Sequence, residues 1–153
     1  MQRRICYNFS NVAVAKERFG KRIAILPQLD WSVKKMIKFI CYPKCTTCQK
    51  AGRWLDDNKV EYDIRDIRSD NPTLYELTEW WGKSGLPLKR FFNTSGLLYK
   101  SLDLKNRLPL MSDSEKLELL ASDGMLVKRP LVIGDDFVLI GFNEGEWSDK
   151  LRQ

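Results

Sequence analysis

The sequence predicts an α/β protein with a mixed sheet, its first strand pair parallel and its last pair antiparallel. Three observations carry this expectation. An apolar β-rich run is followed by a helical pattern and then an alternating run, the signature of a β-α-β unit. Two short apolar runs flank Gly134-Asp135-Asp136, a hairpin signal. Between these parts lie helical patterns opened by two capping boxes. The expected arrangement is thus a helical insertion between an N-terminal βαβ part and a C-terminal β-hairpin and helix.

Each element has its own local reason. Ile37 to Tyr42 is apolar and β-rich, and Pro43 ends it. A helix follows to about Asp57, with Cys48, Ala51, Trp54 and Leu55 on its apolar side and Asn58 suited to its C-terminal end. From Val60 to Ile67 the residues alternate, with Val60, Tyr62 and Ile64 set against Glu61, Asp63 and Arg65. Thr73 and Glu76 have capping-box spacing and open a helix through Trp81, which Gly82 and Gly85 punctuate. In that helix Trp80 and Trp81 are expected to pack in the core rather than form a ligand platform. Pro87 to Leu104 reads as short helical turns and loop. Ser112 and Glu115 open a further helix, with Gly124 expected to close it. Leu131–Ile133 and Phe137–Ile140 form the hairpin, and a last helix starts near Asn143.

Composition narrows the chemistry. The chain has 153 residues, 43% hydrophobic and 30% charged, which suits one folded domain. It has no His, which excludes His-based acid–base catalysis, Cys-His triads and His-ligated metals. The net charge of +6 hints at a polyanion partner, but it is unevenly spread. Residues 1–35 hold eight Lys and Arg against Glu17 and Asp30, whereas residues 36–153 hold 18 charges of each sign. The basic extension has only short apolar runs and lacks the ~7–15-residue apolar core of a secretory signal. It is expected to be a disordered or non-native leader, with the folded domain at 36–153. The neutral domain gives no reason to expect nucleic acid or membrane as a partner.

The distinctive motif is Cys45-Thr46-Thr47-Cys48, between a strand and a helix N-terminus. Unpaired N–H groups and the helix dipole stabilise a thiolate there, and Lys44 adds a positive charge. Cys45 should therefore ionise below the ~8.5 of a free thiol. Cys48, one turn on, is placed to resolve a mixed disulfide. Three other readings compete. A zinc site would need Cys6 as its fourth ligand. Cys41, Cys45 and Cys48 match an iron–sulfur spacing found on larger barrels. Two structural thiols without catalysis is the plainest alternative. A second motif is Lys128-Arg129-Pro130, just ahead of a buried strand. In thioredoxin-like folds this place holds a cis-proline facing the active-site Cys.

These motifs together resemble the ArsC/Spx family, a glutaredoxin-like branch of the thioredoxin fold. The likeness runs through Tyr42-Pro43-Lys44-Cys45 with Thr47, Cys48, Lys50 and Ala51. It continues in Phe91 to Gly96, Leu119 to Leu126, Lys128-Arg129-Pro130 and Gly141-Phe142. It covers about Met36 to Lys150 and is similar to little-characterised ArsC-like proteins of Gram-positive bacteria. The resemblance implies a cytoplasmic thiol–disulfide oxidoreductase with no bound cofactor. Cys45 would be the nucleophile and Cys48 the resolving thiol. Arg129, with Lys44, Thr46, Thr47 and Pro130 around the thiols, would receive an anionic substrate group. Thioredoxin or glutathione would restore the dithiol. The partner would be a thiol, a disulfide or a small oxyanion. The Spx branch implies a different role, a redox-sensing regulator that binds the RNA polymerase α subunit. Arsenate reduction is the third reading. Against the family's reductases, this chain has Cys41 at the activating His position, Cys48 at a Ser position, Asn93 near the position of a second arginine with Arg90 close by, and no counterpart of the third arginine in Gly141-Phe142-Asn143.

Overall fold

In the computed structural model, residues 36–152 are described. The basic extension lies outside them, and the reading of it as a leader with it. Four strands form one sheet in the order β2-β1-β3-β4. They are β1 (Ile37–Cys41), β2 (Tyr62–Asp66), β3 (Leu131–Ile133) and β4 (Val138–Ile140). β1 pairs parallel with β2, with Ile37 opposite Tyr62. It pairs antiparallel with β3, with Phe39 opposite Val132. β3 and β4 form the expected antiparallel hairpin. The helices are α1 (Thr46–Asp57), α2 (Leu74–Ser84), α3 (Leu97–Ser101), α4 (Leu104–Arg107), α5 (Asp113–Ser122) and α6 (Glu144–Leu151).

The two-residue period of the strands sorts their side chains onto two faces. Ile37, Phe39 and Cys41 of β1, Val132 of β3 and Leu139 of β4 pack with Cys48, Ala51 and Leu55 of α1 and with Trp147 of α6. Ile40, Leu131, Ile133 and Val138 face the insertion, where Leu77, Trp80, Leu104, Leu117 and Leu120 complete a second core. Trp80 is buried and Trp81 packs partly buried against the same core, as their spacing predicts. Trp147 is fully buried, its ring edge-on to Phe39, Trp54 and Phe142.

Both capping boxes form, at Thr73 with Glu76 and at Ser112 with Glu115. Glu76 also accepts from Arg65 Nη1 at 2.7 Å, which ties β2 to the start of α2. Two glycines play roles other than the expected ones. Gly82 lies inside α2, which runs on to Ser84; Gly85 caps it in the left-handed region, at φ 62°. Gly124 does not close α5, which ends at Ser122 with Asp123 extended. It allows a close approach instead: a Cβ there would lie 2.1 Å from the Ile67 carbonyl oxygen.

Candidate functional site

The site begins where β1 ends. The Cys45 N–H donates to the Tyr42 carbonyl at 2.9 Å, closing a turn around Pro43 and Lys44. Cys45 then serves as the N-cap of α1, extended at φ −92° and ψ 120°, and its carbonyl accepts the Gln49 N–H. The side chain of Gln49 donates back to the Pro43 carbonyl at 2.8 Å. A short turn braced at both ends thus fixes the first thiol at the positive end of the helix. A turn later, Cys48 sits on the buried stripe of α1.

The two thiols differ in environment. Cys45 is partly exposed and Cys48 is buried. Burial alone would raise the Cys45 pKa. The backbone N–H of Cys48, the Cys48 thiol, the N–H of Thr47 and the charge of Arg129 outweigh it, so Cys45 ionises below the ordinary thiol value. Burial pushes Cys48 up to about 12, helped by its hydrogen bond to Cys45 and the nearby charges of Cys45 and Cys41, and only partly opposed by the Tyr42 N–H. That N–H donates to Cys48 Sγ at 3.4 Å. Cys41 is raised as well, first by burial and then by Asp66 and Cys45. An acidic, reachable thiol therefore stands beside a protonated, hidden one.

The opposite wall comes from far along the chain. The Arg129–Pro130 peptide bond is cis. The Asn93 N–H donates to Leu126 and the Lys128 N–H to Phe91, so the segment before the proline is stitched to residues 91–93. Arg129 projects from this stitched loop. Its guanidinium lies 5.3 Å from the centre of the Tyr42 ring, and its Nη1 donates to the Met125 carbonyl at 3.4 Å. Its Nε is buried without a partner among the described residues. Arg68 donates to the Tyr42 hydroxyl at 3.3 Å. Tyr42 thus meets Cys45 through its carbonyl, Cys48 through its N–H and Arg129 through its ring.

A cleft of about 940 Å³ opens over Cys45. Of the residues singled out in the sequence, Cys45, Thr47 and Arg129 line it. Lys44 and Thr46 are exposed and do not line it, and the charge named among the main influences on Cys45 is that of Arg129. Pro130 is buried behind the wall, its carbonyl accepting the Gly141 N–H at 2.8 Å. Arg90, Asn93, Lys128 and Glu146 also line the cleft. Arg90 and Asn93 were legible only through the family likeness. Lys128 stood in the Lys-Arg-Pro motif without a role. Among the described residues no group of three or more Cys, Asp or Glu side chains could hold a metal, and Cys6 lies outside them.

A thiol pair at the N-terminus of the helix after β1, with a cis-proline loop leading into the neighbouring strand β3 of a β2-β1-β3-β4 sheet, defines a thioredoxin-like protein with a C-x-x-C pair. The chain belongs to the ArsC family, whose model matches residues 41–149. It is 48% identical over 114 residues to the uncharacterized protein YusI of Bacillus subtilis, covering 74% of this chain and 97% of that one. This agrees with the expected likeness to ArsC-like proteins of Gram-positive bacteria. The crystal structure of an ArsC-family-related protein from Bacteroides fragilis superposes with a TM-score of 0.73 at 53% identity, covering 74% of this chain and 95% of that one. The global transcriptional regulator Spx of Listeria innocua is 28% identical over 112 residues, covering 72% of this chain and 83% of that one. Among the described residues no helix is long and apolar enough to cross a membrane.

Proposed function

We propose that the protein is a thiol–disulfide oxidoreductase acting through the Cys45–Cys48 dithiol. The observation that carries this reading is the contrast between the two thiols: Cys45 reachable and acidified, Cys48 buried and protonated. The Cys45 thiolate attacks one sulfur of a partner disulfide. The partner S–S bond breaks, its second sulfur leaves with the electron pair and takes a proton, and a mixed disulfide forms at Cys45. Cys45 has then lost its negative charge, so two of the influences that raised Cys48 vanish. Cys48 gives up its proton and attacks Cys45, closing the Cys45–Cys48 disulfide and releasing the partner as a second thiol. The pair has lost two electrons and the partner has gained them. Thioredoxin or glutathione restores the dithiol by the same exchange. Arg129, which pairs with no carboxylate among the described residues, receives an anionic group of the partner; Thr47 supplies an N–H at Cys45, while Pro130 shapes the loop behind the wall.

The test is a trap. Cys48→Ser should accumulate a mixed disulfide with its partner, which mass spectrometry would identify and which Cys45→Ser should not form. Failure of Cys48→Ser to hold any partner would overturn the reading. The likeness to Spx supports a second reading, a redox-sensing regulator whose partner is the RNA polymerase α subunit. A regulator would co-purify with polymerase and turn over no disulfide. Arsenate reduction has less support, because Arg129 is the one family oxyanion arginine matched in sequence.

A further inference from the structure

The cleft over Cys45 does not end at Arg129. A second hollow of about 410 Å³ adjoins it, and Arg90, Lys128 and Ile140 line both. Its remaining wall includes Lys89 from the same 3₁₀ turn as Arg90, over a floor of Pro87 and Phe92. Among the described residues no acidic one lines this hollow. Lys89, Arg90 and Lys128 form no ion pair among the described residues, although the domain carries equal numbers of acidic and basic groups. Three unneutralised cations in one concavity of a neutral domain focus a positive potential there. The backbone beneath them is fixed by the Phe92–Val127 bridge and the Lys128 N–H bond to Phe91, so the cations are held by ordered chain.

We infer that the Lys89–Arg90–Lys128 hollow is a docking subsite for an acidic peptide segment flanking the cysteine of a protein substrate. The proposal rests on the thiol–disulfide reading and names the substrate class for it. Its size supports a peptide. The joined clefts extend well past the space one oxyanion needs, and the apolar floor suits side chains rather than a bare ion. Leu97, 86% exposed at the rim of the larger cleft, adds an apolar contact on the approach to Cys45. Continuity with the nucleophile favours a chain that carries a disulfide, which nucleic acid does not.

The full chain can be tested with two synthetic peptides, each bearing one cysteine as its 2-thiopyridyl disulfide. Glutamates flank the cysteine in one and lysines in the other. The Cys45 thiolate attacks the cysteine sulfur, and 2-thiopyridone leaves with the electron pair and a proton, so its absorbance reports the rate. The acidic peptide should react about tenfold faster at low salt, and the ratio should shrink as added salt screens the cations. Lys89→Glu should lower that ratio several-fold. Equal rates for the two peptides, or a ratio that Lys89→Glu leaves in place, would overturn the subsite while leaving the thiol reading intact. If neither peptide reacts faster with the wild type than with Cys45→Ser, the thiol reading itself fails. Competition by duplex DNA without any preference between the peptides would assign the patch to nucleic acid and overturn the proposal.

Discussion

At the scale of single residues, the acidity of Cys45 is a sum of opposed effects. Burial costs it, and the helix N–H groups, Cys48 and Arg129 outweigh that cost. The sequence put Cys45 at the helix start, and the structure agrees. It could not supply the cation, because Lys44 is adjacent in the chain but turned to solvent, whereas Arg129 arrives from 84 positions later. The role of Tyr42 was also hidden, since in the sequence it ends an apolar run and opens the Tyr-Pro-Lys-Cys motif, with nothing to place its ring against Arg129. Arg129→Ala should raise the Cys45 pKa by removing a charge that favours the thiolate. Tyr42→Leu should do the same more weakly by freeing Arg129, and Tyr42→Phe, which keeps the ring, should not. The measurement is iodoacetamide rate against pH. A lowered pKa keeps the thiolate populated to lower pH, so the wild-type rate should fall off at a lower pH than in Arg129→Ala. Coincident profiles would remove Arg129 from the account. Cys48, held up to about 12, should stay unreactive across the same range.

Elements that a local pattern defines were legible, and those that tertiary packing defines were not. β1, α1, the hairpin and both capping boxes follow from period, spacing and turn chemistry, and they appear where expected. The stretch from Leu88 to Leu110 breaks into short turns, as expected up to Leu104, but the bounds of those turns were not legible: Phe91, Tyr99, Leu104 and Leu108 each reach the core from a separate turn and keep no steady period. Gly124 resembles a helix stop in sequence, while its real constraint is the Ile67 carbonyl, 57 residues away in the chain. Gly124→Ala should therefore destabilise the fold by about 3 kcal/mol or more, since neither backbone can yield easily. Trp147→Ala, which empties the junction of α1, α6 and the sheet, should cost ~3–5 kcal/mol. Both follow from urea unfolding midpoints. A loss under about 1 kcal/mol at either site would contradict the packing described.

At the scale of the whole molecule, the fold brings together groups that the sequence keeps apart. Cys45, Arg90, Lys128 and Arg129 come from three stretches of chain and meet on one cleft, because residues 91–93 are stitched to 126–128. The surplus charge has no counterpart in that domain, whose 18 charges of each sign balance. We therefore expect residues 36–153 alone to melt at the same temperature as the full chain and to keep the Cys45 alkylation profile. A clear drop in melting temperature would assign the first 35 residues a structural role. The claim on which the account turns is the division of labour between Cys45 and Cys48. Peptide mapping of the oxidised protein by mass spectrometry, after alkylation of the remaining thiols, measures it directly. Oxidation should join Cys45 to Cys48 and leave Cys41 alkylated; a disulfide that joins Cys41 to either partner would rule out that division.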